Sequence, residues 1–518
     1  MPDYGFWNFA KRSPDACVLV ETSSGRKTSA GELAAGSYRL VNALRGLGLD
    51  SGDAFSVVLP NSREIIEAYL AAFQVGMYLV PINHHLTAPE IAYIARDSGS
   101  KVLIGHEGFS GELEAVGTET GLSAERLLAV GSIPGFSSYA DALAGVSTDE
   151  PGGRTAGQVM NYTSGTTGLP KGVRRKLPGI DPDEAGALYA MFLSMFGIQP
   201  EDGNVHLCGS PLYHTAVMMF ASGSLHYGHK VALMDKWKPE DCLRVIEEER
   251  VTTSHMVPTQ LHRMLGLSEE VRGKYDMSSL RTMIHAAAPC PVEIKQRMMK
   301  WWGPVVYEYY AASEGGGTLV TPEEWLERPG TVGKAWPTSD IRIIEEDTGK
   351  QCDADEPGTV YMLLGNNDFK YHNDDKKTDD NRREGYFTVG DIGYLDDAGY
   401  LFLCDRKADM IISGGVNIYP AEIESVLLTH PAVADAAVFG IPHEDWGEEV
   451  KAVVQPGDGH KAGDPLIDDI NSFCEHKLAK YKRPRTIDFI EEMPRDPNGK
   501  LYKRKLRDPY WEGQDRAI

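Results

Sequence analysis

The stretch YTSGTTGLPKGV, residues 162–173, decides how the chain is read. It packs three threonines, one serine, three glycines and a lysine into twelve positions. Glycine has no Cβ, so backbone amides in such a loop can approach an anion closely. The hydroxyls add rotatable donors, and Lys171 adds a full positive charge. These features suit a polyphosphate. The P-loop pattern G-x-x-x-x-G-K-[ST] is not met. Counting from Gly165, the second glycine slot holds Pro170, and Gly172 follows the lysine. Taken alone, the stretch also fits a turn-rich surface loop.

The chain has 518 residues, room for two to four domains at about 100–200 residues each. Hydrophobic content of 42% and charge of 25% are those of a soluble globular protein. Lys+Arg 52 against Asp+Glu 75 gives −23, which argues against nucleic acid or an anionic membrane as the main partner. It leaves open an anionic ligand held by a local field. The seven cysteines (Cys17, Cys208, Cys242, Cys290, Cys352, Cys404 and Cys474) form no CxxC pair, so reduced thiols are expected rather than a disulfide framework or zinc site. The N-terminus lacks the apolar core of a signal peptide. The apolar run 69–82 is broken by Gln74, Gly76 and Pro81, short of the ~20 residues that span a bilayer. These features predict a cytoplasmic enzyme without an integral membrane segment.

The first part of the chain alternates helix and strand. Ser29-Ala30-Gly31-Glu32 is a capping box, followed by Leu33, Leu40, Leu44 and Leu47 at helical spacing and Gly48 as a stop. FSVVLP (55–60) reads as a strand, Asn61-Ser62 as the cap of the next helix, and MYLVPI as another strand. That order implies a parallel sheet covered by helices. Residues 107–150, rich in Gly, Ser, Ala and Glu, read as a surface excursion, and 205–305 return to α/β alternation. From 331 to 404, short strands such as 341–346 and 359–364 between Gly/Asp turns predict a β-rich subdomain. A compact α+β tail follows, with strands at 432–441 and 449–456 and a helix at 464–481.

The string TSGTTGLPKG resembles the signature loop of the adenylate-forming superfamily, which holds acyl-CoA synthetases, aryl-CoA ligases, luciferases and adenylation domains. The resemblance continues in order through SPLYHTA (210–216), AAAPCP (286–291), YEYYAASEGG (307–316), YFTVGD (386–391), DRKADMIISGGVNIYPAEIE (405–424) and PRDPNGKLYKRKLR (494–507). It implies an α/β fold with a β-rich subdomain: a large N-terminal domain of layered sheets, 1–404, a hinge at 405–409, and a small mobile α+β domain, 410–518. It also implies an acid–thiol ligase using ATP, Mg²⁺ and coenzyme A on a small-molecule carboxylic acid, with no nucleic-acid partner and a homodimer left open.

By the same resemblance, Thr163, Ser164, Gly165, Thr166, Thr167, Gly168 and Lys171 hold the phosphates, with Thr166 counted among the catalytic residues. The backbone of Glu308, Tyr309, Tyr310, Ala311 and Ala312 lines the adenine pocket, with the Tyr310 ring against the base. Ser313 touches the α-phosphate and Glu314 holds Mg²⁺. Asp391 and Arg406 take the ribose. Lys500 bridges the substrate carboxylate and the α-phosphate in the first half-reaction. Gly414 and Gly415 line a pantetheine tunnel in the second. The family has glycine where this chain has Ala311, and Asp or Lys at the pivot where it has Ala408.

His214, at an apolar strand end, stands where amino-acid-activating relatives carry aspartate. With the apolar 217–220 after it, this predicts an uncharged, apolar acyl chain, medium or long. A packed core histidine is the competing reading. Lys477, Lys480, Lys482 and Arg483 suit the phosphates of CoA or an acidic carrier protein, and Lys503, Arg504 and Lys505 read as solvated. Loading of a carrier protein is the alternative function. A luciferase-type oxygenase and a non-catalytic nucleotide binder rank below it.

Overall fold

The computed structural model describes residues 4–163, 170–312, 315–364, 369–372, 381–495, 499 and 501–512. The chain divides into two compact units: 1–255 with 268–283 and 367–380, and 256–267 with 284–366 and 381–518.

In the first unit, six strands form an all-parallel sheet in the order Ser137–Ser138, Leu127–Val130, Ser100–His106, Ala54–Val58, Tyr78–Pro81 and Gln158–Val159. The helices Arg63–Gln74, Ala88–Asp97 and Ser110–Thr120 lie between successive strands in the chain. Strands Cys17–Glu21, Lys230–Leu233 and Val205–Cys208 form a second parallel set, edged by the antiparallel Arg26–Ser29. Parallel strands buried on both faces read as continuous apolar runs, and Ala54–Val58 is buried at every position.

The helix Ala30–Gly46 starts where the sequence predicts. Ser29 Oγ accepts from Glu32 N at 3.2 Å, and Glu32 Oε2 accepts from Ser29 N at 2.8 Å. Such a cap is worth about 1 kcal/mol. Leu33, Leu40 and Leu44 from its inner face are fully buried. Asn61 departs from expectation. Rather than capping the next helix, its amide donates to Ser210 O and Met234 O, and its Oδ1 accepts from Leu212 N. Residues 107–150 depart further. They contain the helix Ser110–Thr120 and two sheet strands, because Leu113, Val116, Leu127 and Leu128 supply a buried face within a small-residue background.

In the second unit, Val306–Ala312, Gly315–Val320 and Lys334–Ala335 are antiparallel neighbours. The predicted β-rich region is an antiparallel sheet built on Gly358–Leu364, with Ser339–Ile344, Tyr386–Phe387 and Asp391–Leu395 against it and Leu401–Arg406 beyond. The tail sheet pairs Val433–His443 with Gly447–Pro456, flanked by Ile411–Ser413 and Thr486–Phe489. Its core is its own: Ile411, Ile423, Leu427, Val438, Val450 and Ile470 are buried together. Among the described residues no helix is long and apolar enough to cross a membrane.

Candidate active site

The glycine–hydroxyl stretch is held from both ends. Strands Asn161–Thr163 and Lys171–Arg175 pair antiparallel, with Lys171 opposite Thr163 and Gly172 opposite Tyr162. Glycine at 172 leaves room for the Tyr162 ring, since a Cβ there would lie 3.0 Å from Tyr162 Cζ. Tyr162 donates its hydroxyl to Asp97 Oδ2 at 2.7 Å, and burial together with Asp97 pushes its pKa up. Phe369–Tyr371 pairs on the other edge, and His372 N donates to Gly172 O at 2.7 Å. Lys171 therefore leaves a braced strand. Ser164, Gly165, Thr166, Thr167 and Gly168 lie outside the described residues, as does the side chain of Thr163.

The strand Val306–Ala312 carries the expected adenine-lining residues. Its neighbour Gly315–Val320 packs closely: a Cβ on Gly317 would lie 2.3 Å from Tyr310 O. Tyr310 donates its hydroxyl to Asp391 Oδ2 at 2.6 Å. Asp391 faces Arg406 across two antiparallel strands, and Arg406 Nε lies 3.3 Å from Asp391 Oδ1. Tyr310, Asp391 and Arg406, far apart in the chain, thus form one polar group. A phenol fixed at its hydroxyl holds its ring face in place, and the Asp391 carboxylate, held between that phenol and the Arg406 guanidinium, keeps a fixed orientation as an acceptor. Tyr309 is buried, and Ala311 and Ala312 complete the strand. Ser313 and Glu314 lie outside the described residues.

Glu308 adds a feature missing from the sequence reading. Its carboxylate is buried and accepts from Lys295 Nζ at 2.8 Å, with His285 Nε2 a longer neighbour at 3.4 Å. Burial alone would raise the Glu308 pKa, yet Lys295 and His285 bring it down to about 2. Burial lowers the His285 pKa, so the imidazole is neutral at neutral pH and Lys295 is the counterion. A pattern does point to Lys295: it falls on the face shared by Met298, Met299 and Trp302 in the helix Val292–Trp302.

His214 is the N-cap residue of the helix Thr215–His226, beyond the strand end where the sequence placed it. Val217, Met218 and Phe220 of that helix are buried. The His214 ring lies 4.4 Å from the Tyr213 ring, which meets His84 edge-on at 5.2 Å. His84 stacks on Phe109, and burial, then His85, lowers its pKa to about 4.

Gly414 and Gly415 form the tight turn between Ile411–Ser413 and Val416–Ile418, both with positive φ. A Cβ on Gly414 would lie 2.7 Å from Trp446 Cε3. Trp446 is 44% exposed and sits under the Arg485 guanidinium. Lys482 pairs with Glu422 and Arg483 with Glu475, so these two basic residues already have partners. Lys503, expected in solvent, instead pairs with Glu424 at 2.9 Å with a side chain only 12% exposed. Lys500 lies outside the described residues.

Comparison with known proteins identifies the family. Residues 6–366 match the model of the AMP-binding enzyme family, and 422–500 match the AMP-binding enzyme C-terminal domain. The long-chain-fatty-acid–CoA ligase FadD13 of Mycobacterium tuberculosis is 33% identical over 506 residues, 96% of each chain. The fatty acid–[acyl-carrier-protein] ligase ScoC of Streptomyces coeruleorubidus is 31% identical over 97% of this chain and 94% of its own. The o-succinylbenzoate–CoA synthetase of Bacillus subtilis, solved with its acyl-adenylate intermediate and separately with ATP and magnesium, superimposes with TM-score 0.80 at 28% identity over 98% of each chain. This chain belongs to the AMP-binding enzymes of the adenylate-forming superfamily, and it is an AMP-forming acid–thiol ligase.

Proposed function

We propose that the protein is an ATP-dependent acyl-CoA synthetase for an apolar carboxylic acid of medium or long chain. The Tyr310–Asp391–Arg406 group is the observation that carries this reading: one hydrogen bond and one ion pair join a ring face to a diol acceptor, as a nucleoside needs. The buried apolar residues after His214 and the fatty-acid ligases among the relatives support the choice of acid.

A carboxylate at neutral pH is anionic and resonance-stabilised, so a thiolate does not attack it. In the proposed first step a carboxylate oxygen attacks the α-phosphorus of ATP and the bond to pyrophosphate breaks. Two anions meet, so the site must cancel charge where it accumulates. Thr163 to Gly168 would donate to phosphate oxygens, Lys171 would add its charge, and Ser313 would touch the α-phosphate. Asp391 would accept from the ribose hydroxyls while Tyr310 faces adenine. Lys500 would bridge the carboxylate and the α-phosphate. Among the described residues no three His, Cys, Asp or Glu are placed to hold a metal. Mg²⁺ needs no such cage, since Glu314, phosphate oxygens and waters suffice, and when bound it neutralises phosphate charge. In the second step the thiol of coenzyme A, passing the Gly414–Gly415 turn, attacks the acyl carbon and AMP leaves. Rotation about 405–409 would remove Lys500 from that path.

With magnesium and a panel of acids, labelled pyrophosphate should exchange into ATP for apolar acids and not for α-amino acids. Asp391→Asn should raise the ATP KM roughly ten- to a hundredfold. No exchange with any acid would overturn the reading. The relative ScoC favours a second reading, in which the acceptor is a carrier protein. Thioester formation with free CoA alone separates the two.

A further inference from the structure

The described residues flanking Lys500 converge on one guanidinium. Arg495 makes a bidentate pair with Asp435, Nε to Oδ2 at 2.6 Å and Nη2 to Oδ1 at 2.7 Å. Both side chains are nearly buried, 13% and 11% exposed. The remaining terminal nitrogen, Nη1, donates to Gly499 O at 2.7 Å. One planar fork thus joins the strand Val433–His443 to both ends of the 495–499 segment. The backbone closes the same loop: Arg495 and Leu501 form an antiparallel bridge, and Tyr502 N donates to Pro494 O at 2.8 Å.

Gly499 rests on the helix Pro258–Leu265. Gly499 has φ +77°, and a Cβ there would lie 2.2 Å from Thr259 Oγ1. One turn along the helix, burial lowers the pKa of His262 while Asp435 and the neighbouring Ala434 backbone pull it back up, so the ring lies beside both. The helix therefore meets Gly499 and lies beside the bracing strand at Ala434, and Gly499 and Leu501, the described residues on either side of Lys500, are held in place. Nothing in the reading of Lys500 as a bridging cation explains this brace. A flexible side chain needs a fixed root if its ammonium is to reach two anionic oxygens at once, and a misplacement of about 1 Å can cost a hundredfold in rate. Arginine suits the task because its planar donors match a carboxylate in two-point contact and leave a third for a carbonyl. A lysine ammonium cannot copy that geometry.

We propose that Arg495, held by Asp435, is a positioning residue that sets the root of Lys500 for adenylate formation. The inference rests on the reading of Lys500 given above, and the test separates the two. Pyrophosphate exchange and thioester formation from synthetic acyl-adenylate plus CoA are measured for the wild type, Arg495→Met, Arg495→Lys, Asp435→Asn, Lys500→Ala and Arg495→Met/Lys500→Ala, with unfolding midpoints for each. Arg495→Met should lower the exchange kcat about 10- to 100-fold with the ATP KM little changed. It also leaves the Asp435 carboxylate nearly buried without its counterion, so the unfolding midpoint should fall, and rates are compared well below the midpoint of every variant. Asp435→Asn should follow it, and Arg495→Lys should recover only part. Thioester formation from the preformed adenylate should fall far less. In the Lys500→Ala background, Arg495→Met should cost nothing further. Additive losses in the double variant, equal losses in both half-reactions, or full exchange by Arg495→Met would each overturn the inference. Full exchange by Lys500→Ala would overturn the reading of Lys500, and this inference with it.

Discussion

Lys295 and Lys503 are both lysines drawn into the protein, and their surroundings are balanced in opposite ways. Lys295 is fully buried against one carboxylate, Glu308 at 2.8 Å, with the Trp325 ring beneath its ammonium at 4.7 Å. Glu308 responds with a pKa held down to about 2. Lys503 serves Glu424 directly and has Asp405 close by, while Arg507 takes Asp409. Burial pushes the pKa of both Glu424 and Asp405 up, although Lys503 pulls each the other way. One cation for one carboxylate makes a static support beneath the strand that carries Tyr310. One cation for two carboxylates leaves charge under-compensated beside the segment 405–409, the proposed pivot. The protein is electrically settled where it is proposed to present a nucleotide and unsettled where it is proposed to turn.

The sharpest way to break this contrast is Lys295→Met. It leaves Glu308 buried without its counterion and should cost about 3–5 kcal/mol of stability, read by urea unfolding. The double variant Lys295→Met/Glu308→Leu should recover most of the loss, since an apolar pair of similar volume replaces a buried ion pair at little cost. A silent Lys295→Met would remove the support from the argument.

The two clusters should also differ in their response to acid. The Glu308 pKa is depressed from 4.5 to about 2, so its contribution is complete above pH 4.5 and is lost as the pH falls toward 2. That shift corresponds to roughly 3 kcal/mol. Glu424 and Asp405 are raised, so their ionisation destabilises the fold as the pH climbs above their ordinary values of 4.5 and 3.8. Unfolding midpoints between pH 2 and 7 should show Glu424→Gln losing least at neutral pH and Lys295→Met/Glu308→Leu losing the steep acid limb. Identical profiles for both variants would erase the difference.

The smallest effect is expected at the pivot. Ala408 lies in the turn Lys407–Asp409, and its carbonyl accepts from Arg507 Nη1 at 3.3 Å. Ala408→Pro fixes φ and should slow thioester formation about tenfold more than adenylate formation, compared in separate half-reaction assays. Equal slowing of the two would move the pivot elsewhere.

Most of the fold was legible because it is written in short-range patterns. The Ser29–Glu32 box, the apolar spacing of Leu33, Leu40 and Leu44, and the strands at 341–346, 359–364 and 432–441 need only neighbours in the chain. Residues 107–150 were misread because their few large apolar residues, Leu113, Val116, Leu127 and Leu128, are diluted by small and polar ones. The candidate site was readable in the sequence only as separate motifs, each proposed for base, ribose or phosphate. That the Tyr310 hydroxyl anchors on Asp391, 81 residues away, was not.

The sequence by itself determined the family and the order of the elements and named the candidate reactive groups, because caps, periodicity and motif order are local properties. The tertiary structure alone decided which charges lie beneath the surface and what compensates them. Lys295 with Glu308, Lys503 with Glu424, and Arg495 with Asp435 and Gly499 depend on desolvation and on a few ångströms between remote residues. Both quantities vary with distance in space, and no spacing along a chain encodes them.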